Sequence, residues 1–402
     1  MTMYKNGYLK RGKEESLLRF HPWVFSGALH HTDEGIEEGE VVAVVTSDGS
    51  VAALGHYQEG SIAVRILTFF DKLSDETAQN ETSIDRTFWI RRLSSALQMR
   101  MAMGLAGNPD SNTYRLVHGE GDMLPGLIID VYGNTAVVQA HSIGMHLSRH
   151  DIAGALAEVM GQRLQSIYYK SETTLSFMEP ENGFLIGHTD ENIATENGLR
   201  FYVDWLRGQK TGFFVDQRDN RSLLERYAKG RRVLNMFCYT GGFSVYAMRG
   251  GALAVHSVDS SAKAIELTRA NMALNYPQDP RHQAFCEDAF KFLDNMQTSY
   301  DLVILDPPAF AKHRGALHNA LKGYTRLNMK ALEKMPSGSI LFTFSCSQVV
   351  TKDHFRNAVF TAAALTRRKV RILHQLHQPA DHPVNIYHPE GEYLKGLVLY
   401  VE

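Results

Sequence analysis

The chain has 402 residues, enough for two or three domains, and its 44% apolar and 21% charged residues are ordinary for a soluble globular protein. A net charge of −2 excludes a uniformly basic surface, so nucleic-acid binding would need local basic patches. No apolar run approaches the ~20 residues that span a bilayer, and the first residues lack the apolar middle of a signal peptide. Three well-separated cysteines without a CxxC pair argue against a zinc site or disulfides, and favour a reducing cytoplasm.

Residues 1–72 are predicted to form a small all-β domain, because turn signals separate short apolar runs at 41–45, 51–54 and 62–67. The polar and acidic stretch 71–82 predicts a linker.

Residues 73–197 are predicted to form a small central α+β domain. A helix is expected over 84–105 and another over 146–160. Strands are expected at 114–117, 127–132, 135–139 and 166–169, with Gly133-Asn134 as a hairpin turn.

Residues 198–402 are predicted to form a doubly wound, Rossmann-like α/β domain that begins with a hairpin of 199–204 and 212–216. Helices are expected between most of the later strands, for example over 261–275 and 317–335. The last two strands should form an antiparallel edge. The predicted strands lie near 233–237, 254–258, 282–286, 301–305, 339–344, 369–374 and 395–401.

The chemistry is expected where the apolar run Val303-Ile304-Leu305 ends in Asp306, Pro307 and Pro308. Prolines cannot donate ladder hydrogen bonds, so the strand stops there. Asp306 should therefore lie at the carboxyl end of a central parallel strand, where open α/β sheets place their ligands.

A cofactor site is predicted at the ends of the preceding strands. Gly241 and Gly242 let a ligand approach the backbone closely, without the GxGxxG or GK[ST] patterns of phosphate-binding loops. Asp259, after the second strand, can hold ribose hydroxyls, and Asp288, after the third, can take an adenine amino group. With Asp306-Pro307-Pro308 after the fourth, this order is the layout of a class I S-adenosylmethionine (SAM) methyltransferase.

Cys346 is a candidate nucleophile, because it follows the fifth strand between two serines and should lie beside Asp306. A thiolate that adds to a pyrimidine ring makes the neighbouring carbon reactive, and a carboxyl group on ring nitrogen 3 stabilises the added charge. Cys238 is expected to line the cofactor pocket, and Cys286 to be part of the core.

Six stretches resemble the bacterial 23S ribosomal RNA cytosine-carbon-5 methyltransferases that carry an N-terminal PUA domain. The resemblance covers nearly the whole chain. The stretches are His21–Gly27, Thr211–Asp219, Leu234–Phe243, Asp306–Phe310, Phe342–Ser347 and Ala380–Pro383.

The resemblance implies a PUA RNA-binding domain, SAM as cofactor and large-subunit ribosomal RNA as partner. Within the family pattern, Cys346 corresponds to the nucleophile and Asp306 to the acid that holds the base. The predicted cofactor shell comprises Gln217, Arg218, Asn235, Phe237, Thr240, Gly241, Gly242, Asp259, Ser260, Asp288, Ala289 and Asp306. The predicted substrate contacts are Pro307, Pro308, Phe310, Lys312 and Tyr324.

One position departs from the pattern of other RNA cytosine methyltransferases. These place a second cysteine, which assists product release, where this chain has Pro308. A related branch with Asp-Pro-Pro but no Ser-Cys-Ser methylates guanine, so Cys346 favours cytosine.

Several alternatives stay open. Asp306-Pro307-Pro308 could hold an amino group for nitrogen methylation of a guanine or adenine, with Cys346 inert. A non-catalytic RNA-binding or assembly factor could keep the fold. A metal centre built from His374, His377, His382 and His388 is disfavoured by mixed spacing and the lack of partner acids, so no metal is predicted. The sequence leaves a homodimer open and does not identify the methylated nucleotide or the base that removes the carbon-5 proton.

Overall fold

The computed structural model describes residues 4–70, 83–175, 177–178 and 181–402. The chain divides into two compact units. The first contains 1–195, 203–215 and 380–391, and the second contains 196–202, 216–379 and 392–402. The predicted linker 71–82 lies outside the described residues.

A six-stranded mixed sheet forms the first part of the first unit, in the order β2-β6-β5-β4-β1-β3. The predicted strands over 41–45, 51–54 and 62–67 are confirmed, and the last two are longer than predicted. Val42, Val44, Val64 and Ile66 bury their side chains in one small core. The elements are β1 (Lys5–Leu9), α1 (Glu15–Leu18), β2 (Trp23–Phe25), β3 (Leu29–Thr32), β4 (Val41–Val45), β5 (Val51–Tyr57) and β6 (Ile62–Phe69).

A five-stranded sheet with helices forms the rest of the first unit, in the order β11-β10-β9-β8-β7. The Gly133-Asn134 hairpin is confirmed, since Tyr132 pairs with Thr135 across it. Buried Arg100 donates to both carboxylate oxygens of Asp122 and to the backbone oxygen of Asp381. The elements are α2 (Arg86–Ala102), β7 (Thr113–His118), β8 (Leu127–Tyr132), β9 (Thr135–Ala140), α3 (Ile143–Leu147), α4 (Arg149–Met160), β10 (Ser166–Tyr169) and β11 (Gly183–Ile186).

The predicted hairpin of 199–204 with 212–216 is wrong. Instead, β12 (Ile193–Glu196) and β13 (Leu199–Tyr202) form a two-stranded sheet, and Val215–Gln217 form a single 3-10 turn. The missed signal is Asn197-Gly198, whose φ angles of +50° and +77° make the tight turn that joins neighbouring strands.

A seven-stranded sheet dominates the second unit, in the order β16-β15-β14-β17-β18-β20-β19. The predicted strands, the helices between them and the antiparallel edge are confirmed: β20 runs antiparallel to both β18 and β19. The strands are β14 (Arg232–Met236), β15 (Ala254–Asp259), β16 (His282–Cys286), β17 (Leu302–Leu305), β18 (Ser339–Ser345), β19 (Val370–His377) and β20 (Lys395–Val401). The helices are α5 (Arg218–Ala228), α6 (Gly242–Arg249), α7 (Ala262–Asn275), α8 (Ala289–Asn295), α9 (Leu317–Lys334) and α10 (Lys352–Leu365).

The central strands are buried on both faces, as their unbroken apolar sequences predict. All four residues of β17 are buried, and Leu305 pairs with Met236 of β14 and with Thr343 of β18. This parallel register brings the carboxyl ends of β14, β17 and β18 to one edge of the sheet.

Cys286 is exposed, so its predicted place in the core is wrong. The reason is that β16 is an edge strand: Cys286, its last residue, pairs with Asp259 of β15 on one side and has no strand on the other. Among the described helices, none is both long and apolar enough to cross a membrane.

Candidate active site

The turn after β14 has an unusual backbone. Phe237 and Tyr239 adopt left-handed conformations at φ +57° and +46°, and Gly241, at +78°, precedes the first turn of α6. Such conformations are costly for residues other than glycine and persist only where the surroundings hold them.

Side chains from α7 and β15 supply that support. Thr268 donates to the Tyr239 backbone oxygen and Asn271 to the Thr240 oxygen, both at 2.8 Å. Asp259 Oδ2 accepts from the Tyr239 amide at 3.0 Å. The turn is therefore fixed by neutral donors and one carboxylate.

Asp259, the predicted ribose-binding residue, is the last residue of β15. Its second oxygen, Oδ1, accepts from the Ser261 amide at 2.9 Å, while Ser260 itself is exposed. A carboxylate oxygen can accept more than one hydrogen bond, so each retains capacity for a hydroxyl donor.

Asn235 lies buried beneath the turn. Its Nδ2 donates to Ser244 at 2.9 Å, but its Oδ1 has no hydrogen-bond partner among the described residues. Gly242, which begins α6, packs near the Arg221 side chain, which pairs with buried Glu196.

Two of the predicted cofactor residues lie at the start of α8. Asp288 is exposed, and its Oδ1 caps the helix by accepting from the Lys291 amide at 3.0 Å; Ala289 is buried.

Cys238 lies in the turn after β14, and its buried thiol is 3.5 Å from the Thr268 hydroxyl.

Asp306 follows β17 and is held by Gln217, whose Nε2 donates to Asp306 Oδ2 at 2.9 Å. Gln217 is in turn fixed by Asn220, and its neighbour Arg218 is also buried. Burial is the main cause that raises the pKa of Asp306 to about 7, and the nearby Asp216 carboxylate adds to the rise. The hydrogen bond from Gln217 opposes it. Both protonation states of Asp306 are therefore populated near neutral pH.

Cys346 follows β18 and is half-buried, with both flanking serines engaged. Ser345 Oγ donates to the Tyr324 hydroxyl at 2.9 Å, and Ser347 Oγ donates to the Ala311 backbone oxygen at 2.6 Å. Thr351 caps the next helix, since its hydroxyl oxygen accepts from the His354 amide at 3.1 Å.

The predicted substrate residues differ in exposure. Pro308 and Lys312 are exposed and Phe310 is half-buried, whereas Pro307 is buried. Tyr324 is fully buried beneath Phe310, with their ring centroids 4.6 Å apart. Phe310 is thus the aromatic ring open to a ligand, and Tyr324 supports it.

Sequence reasoning missed three charged or polar residues of the site. Asp216 accepts a hydrogen bond from the Tyr393 hydroxyl at 2.7 Å. Buried Lys395 donates to the backbone oxygens of Ser347 and Val350, both at 2.6 Å. A lysine at the start of the otherwise apolar strand β20 was the available signal.

These groups set the ionisation of Cys346. Burial raises the pKa of its thiol to about 12, with the Asp306 and Asp216 carboxylates adding to the shift, while Lys395 opposes them. Burial lowers the pKa of Lys395 to about 8, so it is mainly a cation at pH 7.

Comparison with known proteins identifies the family of this chain. A model of the S-adenosylmethionine-dependent methyltransferase family matches residues 142–385, and a PUA-like domain model matches residues 8–69. The ribosomal RNA large subunit methyltransferase I of Tolumonas auensis is 40% identical, over 98% of both chains.

This chain belongs to the S-adenosylmethionine-dependent methyltransferase family. The structure of a candidate SAM-dependent methyltransferase from Streptococcus mutans shares the fold, with 22% identity and a TM-score of 0.82 over 98% of this chain and 99% of that one. SMU.776, a candidate methyltransferase in complex with S-adenosylhomocysteine (SAH), is 23% identical with a TM-score of 0.83 over the same shares. The predicted fold class and cofactor are thereby confirmed.

The residues present fit SAM as the methyltransferase cofactor. The turn after β14 offers backbone groups without a phosphate-binding lysine, Asp259 offers a carboxylate for ribose hydroxyls, and Asn235 Oδ1 is a buried acceptor without a partner among the described residues. A bound SAM supplies a methyl group on a positively charged sulfur.

We expect Gly241→Ala to weaken SAH binding at least tenfold. At φ +78°, an added Cβ would lie 2.8 Å from Thr268 Cγ2, so the turn or α7 must shift. Calorimetric titration with SAH measures the effect. Gly230→Ala is the control, because its φ is +73° but no described atom lies within 4 Å of the added Cβ. Equal loss of affinity in both variants would contradict a role for this close contact.

We expect Asp306→Asn to remove a pH dependence of stability. The pKa of the Asp306 carboxyl is about 7 in the folded protein and ~3.9 in the unfolded chain, so the folded protein favours the protonated form. This contribution to stability is fully present below pH ~3.9 and is lost as the pH rises through about 7. Between pH 4 and pH 8, the free energy of unfolding of the wild type should therefore fall by ~2–4 kcal/mol more than that of Asp306→Asn. Chemical denaturation at several pH values tests this, with exposed Asp219→Asn as control. Parallel pH curves for wild type and Asp306→Asn would show the expectation to be wrong.

Proposed function

We propose that this methyltransferase transfers the methyl group of SAM to carbon 5 of a cytosine in large-subunit ribosomal RNA. The relative from Tolumonas auensis is named as a large-subunit ribosomal RNA methyltransferase. The choice of cytosine carbon 5 rests on one observation: Cys346 and Asp306 follow adjacent parallel strands, and the Asp306 carboxylate helps to raise the pKa of the Cys346 thiol.

In the proposed reaction, the Cys346 thiolate adds to carbon 6 of the cytosine. The Sγ–C6 bond forms while the C5–C6 double bond opens, and nitrogen 3 takes up a proton from Asp306. Carbon 5 becomes enamine-like and accepts the methyl group as the bond between that group and the SAM sulfur breaks, which leaves SAH. A base then takes the carbon-5 proton, which restores the C5–C6 double bond and expels Cys346 as a thiolate. Nitrogen 3 returns its proton to the Asp306 carboxylate.

Asp306 is suited to both parts of this role. Gln217 holds Oδ2, so the proton would sit on the other oxygen and face nitrogen 3. With a pKa of about 7, the acid form is available at neutral pH. Protonated Asp306 carries no negative charge and does not repel the Cys346 thiolate. The protonation state of Asp306 that binds the cytosine is therefore also the one that allows Cys346 to ionise.

Lys395 is proposed to favour the same thiolate. Its ammonium group is anchored to the backbone oxygens of Ser347 and Val350, in the segment that follows Cys346. A nearby cation stabilises a thiolate and lowers the thiol pKa.

The RNA would approach across the exposed part of the Asp-Pro-Pro segment. Phe310 offers a ring for stacking of a flipped base, and Lys312 offers a charge for phosphate. The PUA-like domain is proposed to bind RNA outside the target nucleotide. We place the protein in the cytoplasm, where bacterial ribosomal subunits assemble.

We expect RNA that contains 5-fluorocytosine to form a covalent adduct with the wild-type enzyme and SAM. The carbon-5 fluorine cannot leave as a proton, so the Sγ–C6 bond persists on a denaturing gel. Cys346→Ala should form no adduct and lose methyl transfer by at least ~10³-fold, because nucleophilic catalysis is removed. Cys286→Ala, which removes an exposed thiol of the same unit, should behave as wild type.

The other outcomes separate the alternatives. Efficient methyl transfer by Cys346→Ala would point to nitrogen methylation of a guanine or adenine. SAH binding without any methyl transfer by the wild type would point to an RNA-binding or assembly factor. Bisulfite mapping of the product would identify the nucleotide.

The electrostatic roles have a separate test in the alkylation of Cys346 by iodoacetamide at pH 7. Asp306→Asn removes a negative charge and should speed alkylation about threefold or more, although it impairs methyl transfer. Lys395→Met should slow it by a similar factor, and Lys395→Arg should retain most of the wild-type rate. Mass spectrometry of the Cys346 peptide gives the rate.

Cys286 in the same chain is the internal control, since its alkylation should not change in any of these variants. Unchanged Cys346 rates in both Asp306→Asn and Lys395→Met would refute the proposed electrostatic control.

A further inference from the structure

Three potential metal ligands converge in the first unit. His21 precedes β2, while His388 and Glu390 lie at the 3-10 turn Pro389–Gly391. Glu390 Oε2 lies 3.7 Å from His21 Nε2 and 3.8 Å from His388 Nε2. All three ligand atoms lie within 4.8 Å of one another.

His388 is the unusual member of this group. It is only 3% exposed, yet neither ring nitrogen has a hydrogen-bond partner among the described residues. Its ring packs edge-on against Trp23, with centroids 4.3 Å apart. A buried polar group without a partner is costly, so a ligand that accepts the ring's lone pair would relieve that cost.

His21 Nε2 faces Glu390 and His388. The Trp23 amide donates to His21 Nδ1 at 3.2 Å, and the Trp23 backbone oxygen lies 3.3 Å from the same nitrogen. The bond from the amide needs an unprotonated Nδ1, whereas a metal on Nε2 needs the proton on Nδ1. Zinc binding would therefore exchange the bond from the amide for a bond from Nδ1–H to the Trp23 oxygen, which is the common outer support of a metal-bound histidine.

The spacing suits a small tetrahedral ion after slight closure. With zinc–nitrogen and zinc–oxygen bonds of ~2.0–2.1 Å, tetrahedral ligand atoms lie roughly 3.3 Å apart. The exposed Glu390 side chain is able to move inward by the roughly 0.5 Å that its contacts with the two histidines require. The histidine nitrogens lie at most 4.8 Å apart and would also have to approach each other.

The donor set narrows the identity of the ion. Two imidazole nitrogens and one carboxylate oxygen suit zinc and its transition-metal neighbours, whereas magnesium and calcium prefer oxygen ligands alone. The histidines singled out with His388 in the sequence have other contacts. His374 lies 2.7 Å from the Tyr227 hydroxyl, His377 Nδ1 lies 2.7 Å from the Gln378 oxygen, and His382 Nδ1 lies 3.1 Å from Asp381 Oδ1.

We propose that His21, His388 and Glu390 bind a zinc ion. Three protein ligands leave a fourth position for water, on the side where Glu390 is exposed. The ion would tie the start of β2 to a turn that is distant in sequence, within the same compact unit. This site is independent of the proposed methyl transfer.

Zinc titration of the full chain, purified without a histidine tag and stripped with chelator, tests the site. In competition with a chromophoric chelator, the wild type should bind one zinc per chain at this site. Glu390→Gln should weaken binding tenfold or more, and His388→Ala should abolish it. Because Glu390 is exposed, its variant is expected to fold even if His388→Ala does not.

His188→Ala is the matched control, since His188 and Asp190 form an exposed histidine–acid pair in the same unit, 3.4 Å apart. Its zinc affinity should equal that of the wild type. Zinc at a hundredfold excess over Kd should also raise the Tm of the wild type and the control by about 2 °C or more, but not that of Glu390→Gln. Wild-type zinc binding no tighter than that of Glu390→Gln would overturn the proposal.

Discussion

The parallel pairing of β17 with β18 is the constraint on which the candidate active site depends. Leu305 lies opposite Thr343, so Asp306 and Cys346 leave the sheet at the same edge. A slip of one residue would turn the buried side chains of these strands to the opposite face, and the close packing of the buried cluster around them opposes it. The packing of β17 therefore fixes the position of the chemistry.

Burial also creates a conflict that the proposed reaction has to resolve. The same exclusion of water that raises the pKa of Asp306 to a useful value raises that of Cys346 to about 12. The two groups are coupled, because a proton gained by Asp306 removes a charge that opposes the thiolate. In the proposed function, the target base would take part in this coupling, since nitrogen 3 competes for the Asp306 proton.

Local pattern was sufficient to predict much of this fold and the pair Asp306 and Cys346, because each buried strand and its polar end are contiguous in sequence. Asp216, Tyr393 and Lys395 escaped prediction because they reach the site from segments far apart along the chain. The wrong hairpin had a local cause, the overlooked Asn197-Gly198 turn. The grouping of His21 with His388 and Glu390 depends on tertiary structure alone.

The positive charge of Lys395 would also affect release of the product, because Pro308 stands where a second cysteine is expected. The pattern of RNA cytosine methyltransferases, which the sequence resembles, implies a second cysteine for product release where this chain has Pro308, which cannot donate or accept a proton there. Breakdown of the proposed adduct must then depend on how well Cys346 leaves. A thiolate is both the attacking group and the leaving group, so a cation that stabilises it favours both steps. Lys395 would thus replace part of what the missing cysteine provides.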